Sequence, residues 1–408
     1  MAFASLPVGE RVDGHADHGT SSNEQEEGEA PARNSQERGG RHEKAKRSAT
    51  HGAELARPHE PPEHHAPARA IDGVGDEGVD GRSLDLQRQP ECPTMFNAAN
   101  LFEMLILLYN GELDLKRLNF GVISLIPKKS DPSDIRHFRP ICVLNDKFKF
   151  ISKVVTNRFT EVANSVISPA QTAFIPGRFI LEGCVIVHEV LHELKLRRDK
   201  GIIWKLDFEK AYDRVSWNFL FEVMERKGFP DRWLKWVEAC VTGGKVCVNI
   251  NGERSNFFRT YRGVRQGDPL SPLLFNMVSD ALAVMLDKAK GNGVLTGLVP
   301  EIFPGGITHL QYADDTVVFI PFDENQILAT KFILYCFEDT AGMKINYHKS
   351  EVFTVGLEKE ETDRVAQMLN CPVGAFPMKY LGLPISPEKI LNHDFDFLGQ
   401  KLEKRLGT

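Results

Sequence analysis

The apolar positions of this chain recur at two periods, near 3.6 and near 2, and the alternation between them predicts the order of elements. Patterned sequence begins near Met95, where NAANLFEMLILLYNGELDLKRL predicts an amphipathic helix broken at Asn110-Gly111. Gly121 to Pro127, short and β-branched, predicts a strand. Asn145 to Val166 predicts a helix carrying Phe148, Ile151, Val155, Phe159 and Val162 on one face. Another helix is expected over Ile180 to Arg198. A buried strand follows over Ile202 to Phe208, then helices over Trp217 to Lys227 and Asp231 to Val241, the second opened by Pro230. Lys245 to Ile250 and Asn256 to Tyr261 flank Asn251-Gly252 and predict a hairpin. A long helix is expected over Pro269 to Leu286. Two strands, Ile307 to Tyr312 and Thr316 to Ile320, enclose the bend Ala313-Asp314-Asp315. A helix from about Asn325 to Ala341 and short strands near Glu351 to Val355 and Lys379 to Ile385 complete the pattern.

Composition divides the chain at the point where the pattern starts. Met1 to Glu91 holds 11 basic and 18 acidic residues, seven of the 13 histidines, and a single aromatic residue, Phe3. Such a segment cannot offset the entropy of ordering, so residues 1–93 are expected to be a disordered low-complexity segment. Its histidines lie on no periodic element, which favours a solvated linker over a metal site. The rest of the 408 residues, 42% apolar over the whole chain, is ample for a buried core. The longest apolar runs, such as Gly121 to Pro127 or Ala281 to Leu286, fall far short of the roughly 20 residues needed to cross a bilayer, so no membrane partner is expected. The first residues carry no basic and apolar signal pattern, which leads us to expect an intracellular protein. Seven cysteines form no C-x-x-C pair and are expected to be reduced and mostly buried.

Three carboxylates stand where a strand meets a turn. Asp207 closes the apolar run IIWKLDF, and Asp314 and Asp315 occupy the bend of ITHLQYADDTVVFI. A carboxylate there gains nothing from packing, and adjacent aspartates repel unless a cation or donors compensate. Hard oxygen ligands in small number suit Mg²⁺, with positions left for water and phosphate. A polar hairpin turn is the plain alternative. Upstream, Asn119 to Thr160 carries eight basic and three acidic residues, among them Lys128, Lys129, Arg136 and Arg139, the signature of a phosphate-binding surface.

Together these motifs resemble a known family. Tyr312-Ala313-Asp314-Asp315 reads YADD and follows LDFEKAYD (206–213) and RQGDPLSP (265–272) in the order used by reverse transcriptases. With LIPKK (125–129), HFRPI (137–141), GMKIN (342–346), KSE (349–351) and YLGLPI (380–385), the chain is similar to non-LTR retrotransposon reverse transcriptases of the LINE type, in wording closest to plant elements. Group II intron maturases and viral RNA-copying polymerases share the palm logic but fit these motifs less well.

The resemblance implies an α+β right-hand polymerase, with an antiparallel palm sheet backed by helices, fingers and palm over 94–355, and the end of the palm with a primer grip and the start of a truncated thumb over 356–408. It implies RNA-directed DNA polymerase activity with an RNA template, a DNA primer and deoxynucleoside triphosphates. Two Mg²⁺ ions, replaceable by Mn²⁺, would be held by Asp207, Asp314, Asp315 and the carbonyl of Phe208. Tyr212 would be the steric gate against a ribose 2′-OH, a core aromatic being the alternative. Gln266 and Gly267 would lie beside the incoming base, and Lys128 and Arg139 would reach the triphosphate. Lys349 would protonate pyrophosphate, with plain surface charge as the alternative. Tyr380, Leu381 and Gly382 would form the primer grip, while Asp213 and Asp268 would serve turns and helix starts. The family further implies a nuclear location, an endonuclease domain and a complete thumb, neither of which is recognisable in this sequence. A second reading is therefore a catalytically inactive retroelement remnant that at most binds nucleic acid.

Overall fold

The computed structural model describes residues 98–407, so the low-complexity segment expected over 1–93 lies outside the described residues. Along the chain, α1 (Ala98–Asn110) ends at Gly111, whose φ of +78° lets the chain reverse. A 3-10 turn over Leu115–Arg117 leads into β1 (Phe120–Pro127), β2 (Phe138–Leu144) and α2 (Asp146–Val166), the last capped by the Asn145 side chain. After α3 (Ile180–Arg197) and β3 (Gly201–Leu206) come α4 (Ala211–Arg214), α5 (Trp217–Arg226) and α6 (Asp231–Val241). Next are β4 (Lys245–Ile250), β5 (Glu253–Arg254), β6 (Phe258–Arg259) and α7 (Ser271–Gly291). The chain continues through β7 (His309–Tyr312), β8 (Asp315–Pro321), α8 (Glu324–Ala341), β9 (Glu351–Val355) and α9 (Lys359–Leu369). It closes with β10 (Met378–Tyr380), β11 (Leu383–Ile385) and α10 (Asp396–Leu406).

These strands form two main sheets and a hairpin. The first sheet runs β2-β1-β4-β5 with β6 also on β4, and is mixed, because β1 pairs β2 antiparallel and β4 parallel. The second runs β7-β8-β3-β9 and is antiparallel throughout. Its strands read as continuous apolar runs because helices or the β10-β11 hairpin cover both faces. Ile202, Trp204 and Leu206 of β3 join the larger core built on α2, α5, α7 and α8, while Ile203 packs with α3 and the hairpin. Trp204 and Phe319 are almost wholly buried, and each such side chain contributes about 2–3 kcal/mol of transfer free energy. Six cysteines among the described residues are free, and five of them are buried. No described helix is long and apolar enough to cross a membrane.

Several boundaries differ from the sequence expectation for physical reasons. The strand expected to reach Phe208 ends at Leu206, because the backbone of Asp207 turns away from the ladder: its N–H donates to Ser350 Oγ at 3.0 Å and its carbonyl accepts from Asn346 N–H at 2.7 Å. The return arm of the Asn251-Gly252 hairpin, expected over Asn256 to Tyr261, is broken into β5 and β6 where the Ser255 hydroxyl takes the Val248 N–H. Lys379 to Ile385 is a hairpin with Leu381 and Gly382 at positive φ, instead of one strand. The helix α7 runs one turn past its expected end.

Candidate active site

Strand geometry gathers the three aspartates at one end of the second sheet. The β3-β8 ladder ends at Leu206 facing Thr316, so Asp207 and Asp315, the neighbours of that last pair, lie at the same end of the sheet. Tyr312 pairs with Asp315, which leaves Ala313 and Asp314 as the two residues of the turn. Ala313 takes a φ of +54°, a left-handed conformation costly for any residue with a Cβ.

A buried amide holds that turn. Gln171, with no solvent exposure, accepts from Ala313 N–H through Oε1 at 2.8 Å and donates through Nε2 to the Ala313 carbonyl at 3.3 Å. The same side chain donates to Ser279 Oγ at 3.1 Å and accepts from Ala173 N–H at 3.1 Å. Its loop is docked on the edge strand β7 by Gln311 N–H to Ala170 O, 2.8 Å, and Thr172 N–H to Gln311 O, 2.9 Å. The loop is fixed from behind by Arg178, which donates to the carbonyls of Ile167, Ser168 and Gln171, and by Asp280, which accepts from Ser168 N–H and from Lys227 at 2.6 Å each. Sequence reasoning missed Gln171, since Ser279 and Ala313 lie over 100 residues away and a lone Gln in SPAQTAF carries no periodic signal.

The electrostatics fit a cation. Both Asp314 and Asp315 retain solvent access, yet the surrounding protein desolvates them and their carboxyls are raised above the usual range. The charge of Asp207 raises both further, and that of Asp314 raises Asp315. Lys205, whose ammonium donates to the Lys379 carbonyl at 2.9 Å, opposes the shift at Asp315. Among the described residues no group of three or more His, Cys, Asp or Glu side chains is drawn together closely enough to hold a metal ion by itself. Carboxylates whose mutual repulsion Lys205 offsets only in part suit a divalent ion that keeps water and phosphate oxygens as its other ligands.

Of the other expected residues, Tyr212 and Tyr380 lie within reach of the charge of Asp314 and Asp315. The Tyr212 ring stacks on Phe275, centroids 4.7 Å apart and planes 3° from parallel, and burial with the nearby charge of Asp314 pushes its hydroxyl well up. Phe208 is buried, bridges Ile345 and meets Phe337 edge to face. The Gln266 carbonyl accepts from Cys142 N–H at 2.8 Å, and Gly267 has a φ of +113°. A Cβ on Gly267 would stand 2.5 Å from the Cys142 carbonyl, so this close approach requires glycine. Tyr380 is buried, and the charge of Asp315 contributes to raising its hydroxyl; Cys184 Sγ lies 3.7 Å from its carbonyl. Leu381 and Gly382 form the turn beyond it. Lys349 is exposed on the tight turn whose Ser350 holds Asp207.

On the first sheet, Arg139 is exposed on β2 opposite Ile126, and Lys128 donates to the Arg136 carbonyl at 3.1 Å. Arg136 is engaged by Asp134 through two bonds of 2.9 and 2.8 Å, which holds the Asp134 carboxyl far below its usual range. Asp268 is buried and accepts from Leu270 N–H at the start of α7 and from Ser152, while Asp213 lies within α4.

Comparison with known proteins agrees with this arrangement of motifs. The family model described as "Reverse transcriptase (RNA-dependent DNA polymerase)" matches residues 126–402. A transposon TX1 uncharacterized 149 kDa protein of Xenopus laevis is 28% identical over 298 residues, covering 73% of this chain and 22% of that protein. The Pol polyprotein of the retrotransposable element R2DM of Drosophila melanogaster is 28% identical over 323 residues, 79% of this chain and 28% of that protein. The chain thus spans less than a third of the length of either relative. Among solved structures, a telomerase from Candida tropicalis in complex with a fragment of telomeric RNA aligns with a TM-score of 0.47 at 14% identity, over 66% of this chain and 44% of that one. With the family model covering well over half of its length, the chain belongs to the reverse transcriptase family, among those of non-LTR retrotransposons.

Proposed function

We propose that this chain is an RNA-directed DNA polymerase module that extends a DNA primer on an RNA template with deoxynucleoside triphosphates. The observation that carries the reading is the gathering of Asp207, Asp314 and Asp315, from two separate motifs, at one end of the antiparallel sheet within reach of one another's charge. In the family's terms the second sheet is the palm and the first belongs to the fingers.

Two Mg²⁺ ions, or Mn²⁺ in their place, when held by Asp207, Asp314 and Asp315 with the Phe208 carbonyl, would supply activation of the primer 3′-OH and neutralisation of the leaving pyrophosphate. The chain's own residues do the positioning. Gln171 fixes the turn that presents Asp314, and Ser350 and Asn346 fix the backbone of Asp207. Tyr212, backed by Phe275, presents a ring face that a ribose 2′-OH would meet. Gly267, whose missing Cβ admits the Cys142 carbonyl, lets the backbone hold Gln266 beside the incoming base. Lys128 and Arg139 bind the triphosphate from the fingers. Tyr380, Leu381 and Gly382 seat the primer end, and Lys349 gives a proton to the departing pyrophosphate.

Primer extension on an RNA template with Mg²⁺ tests the reading. Extension by the chain, abolished in Asp314→Asn, supports it; RNA binding without any extension in a folded protein would support the inactive remnant instead.

A further inference from the structure

At the end of the first sheet away from Lys128, three side chains line up across neighbouring strands. Phe120 pairs with Lys245 in the β1-β4 ladder, and Lys245 pairs with Arg259 in the β4-β6 ladder. Two cations directly opposite in a sheet repel and weaken the ladder unless an anion lies between them. Among the described residues no carboxylate forms an ion pair with the side chain of Lys116, Lys245 or Arg259, although Asp114 accepts from the Lys116 backbone N–H. Arg117 has an exposed partner in Asp114 at 3.6 Å.

Lys116 and Arg117, on the 3-10 turn before β1, extend the row of charge. Phe257, on the break between β5 and β6, sets its half-exposed ring edge-on to Phe120 with centroids 6.3 Å apart. Together with Gly243 these six side chains line an open groove of about 550 Å³, and no acidic residue lines it. Phe120 and Pro127 are the two ends of β1, so at about 3.3 Å per residue the groove lies on the order of 20 Å from the triphosphate-binding surface proposed at Lys128 and Arg139.

Four cations set around exposed aromatic rings match the chemistry by which proteins hold an unpaired polynucleotide: charge tracks the backbone and rings stack on bases. We propose that this groove binds single-stranded RNA, anchoring the template strand at a distance from the point of copying. The choice of RNA over DNA rests on the polymerase reading, in which the template is the strand left unpaired. Its phosphates lie on Lys116, Arg117, Lys245 and Arg259, with a base against Phe257 or Phe120.

The test is fluorescence anisotropy of the full chain with labelled oligouridylate, which needs no catalysis. Lys245→Ala with Arg259→Ala is expected to weaken binding about tenfold and to lower the slope of log affinity against log salt by about 1.4, two phosphates at about 0.7 each. Phe257→Ala, an exposed position, is expected to weaken binding about tenfold with the slope unchanged. Melting temperatures near the parent's show that the variants fold. Unchanged RNA affinity in both variants overturns the proposal. So does a loss confined to oligothymidylate, or to polyglutamate as a stand-in for an acidic protein. Weaker RNA binding in variants of a protein that extends no primer would uphold the groove while the polymerase reading fails.

Discussion

Replacing Gln171 by Ala removes the four hydrogen bonds that the side chain makes to Ala313, Ser279 and Ala173. Two backbone donors, Ala313 N–H and Ala173 N–H, then lose their acceptor inside the protein. A buried donor left unsatisfied costs about 1–3 kcal/mol, so the pair predicts a loss of about 2–6 kcal/mol of stability. The left-handed Ala313 adds a local penalty of about 1–2 kcal/mol that the clamp now holds in place, so the turn bearing Asp314 should relax even where the fold survives. Urea unfolding with a fixed m-value gives the stability term, and single-turnover extension at several Mg²⁺ concentrations gives the functional one. We expect a lower midpoint, slower extension and a higher Mg²⁺ requirement. Gln171→Glu keeps an acceptor for Ala313 N–H and Ala173 N–H but buries a carboxyl and sets its second oxygen against the Ala313 carbonyl, so it should not restore parental stability. An Ala variant with parental midpoint and parental Mg²⁺ dependence would refute the clamp.

The raised carboxyls of Asp314 and Asp315 set a pH dependence with a definite sign. A carboxyl raised in the folded state costs no stability when protonated in both states; the penalty develops as pH rises through the unfolded value, about 3.9, and is complete above the folded one. In chelator, Asp314→Asn should therefore melt above the parent at pH 7, with the gap closing below about pH 4; a gap independent of pH, or a lower melting temperature at pH 7, would contradict this reading. Tyr212→Ala should incorporate ribonucleotides more readily, at some loss of stability because Phe275 loses its stacking partner; unchanged discrimination between the two sugars would remove Tyr212 from the gate.

How far the sequence could be read follows from where each signal resides. Asp207 was visible because a charge interrupts a buried run, and Asp314 with Asp315 because two acids share a bend; both signals are local. The long helices α2, α3 and α8 carry enough periodic apolar positions to declare themselves. By contrast, α9 buries only Val365 and Leu369 of its eleven residues, and it was not anticipated. In β2, Pro140 argues against a central strand, and the structure shows why it is tolerated: β2 is the outer strand of its sheet. The cationic row Lys245-Arg259 and the Gln171 clamp are tertiary facts, created by strand register and by a loop docking on β7, and no window of sequence displays them.

The central claim is that Asp207 and Asp314, brought together from separate motifs, act as one unit in nucleotidyl transfer. The direct measurement is the single-turnover rate of adding one deoxynucleotide opposite an RNA template for Asp207→Asn, Asp314→Asn and the double variant. Groups acting as a unit are strongly non-additive, so each single substitution should slow the step by about a thousandfold or more and the double variant should be little slower than either. Losses that multiply, or a single variant that extends at the parental rate, would contradict the account.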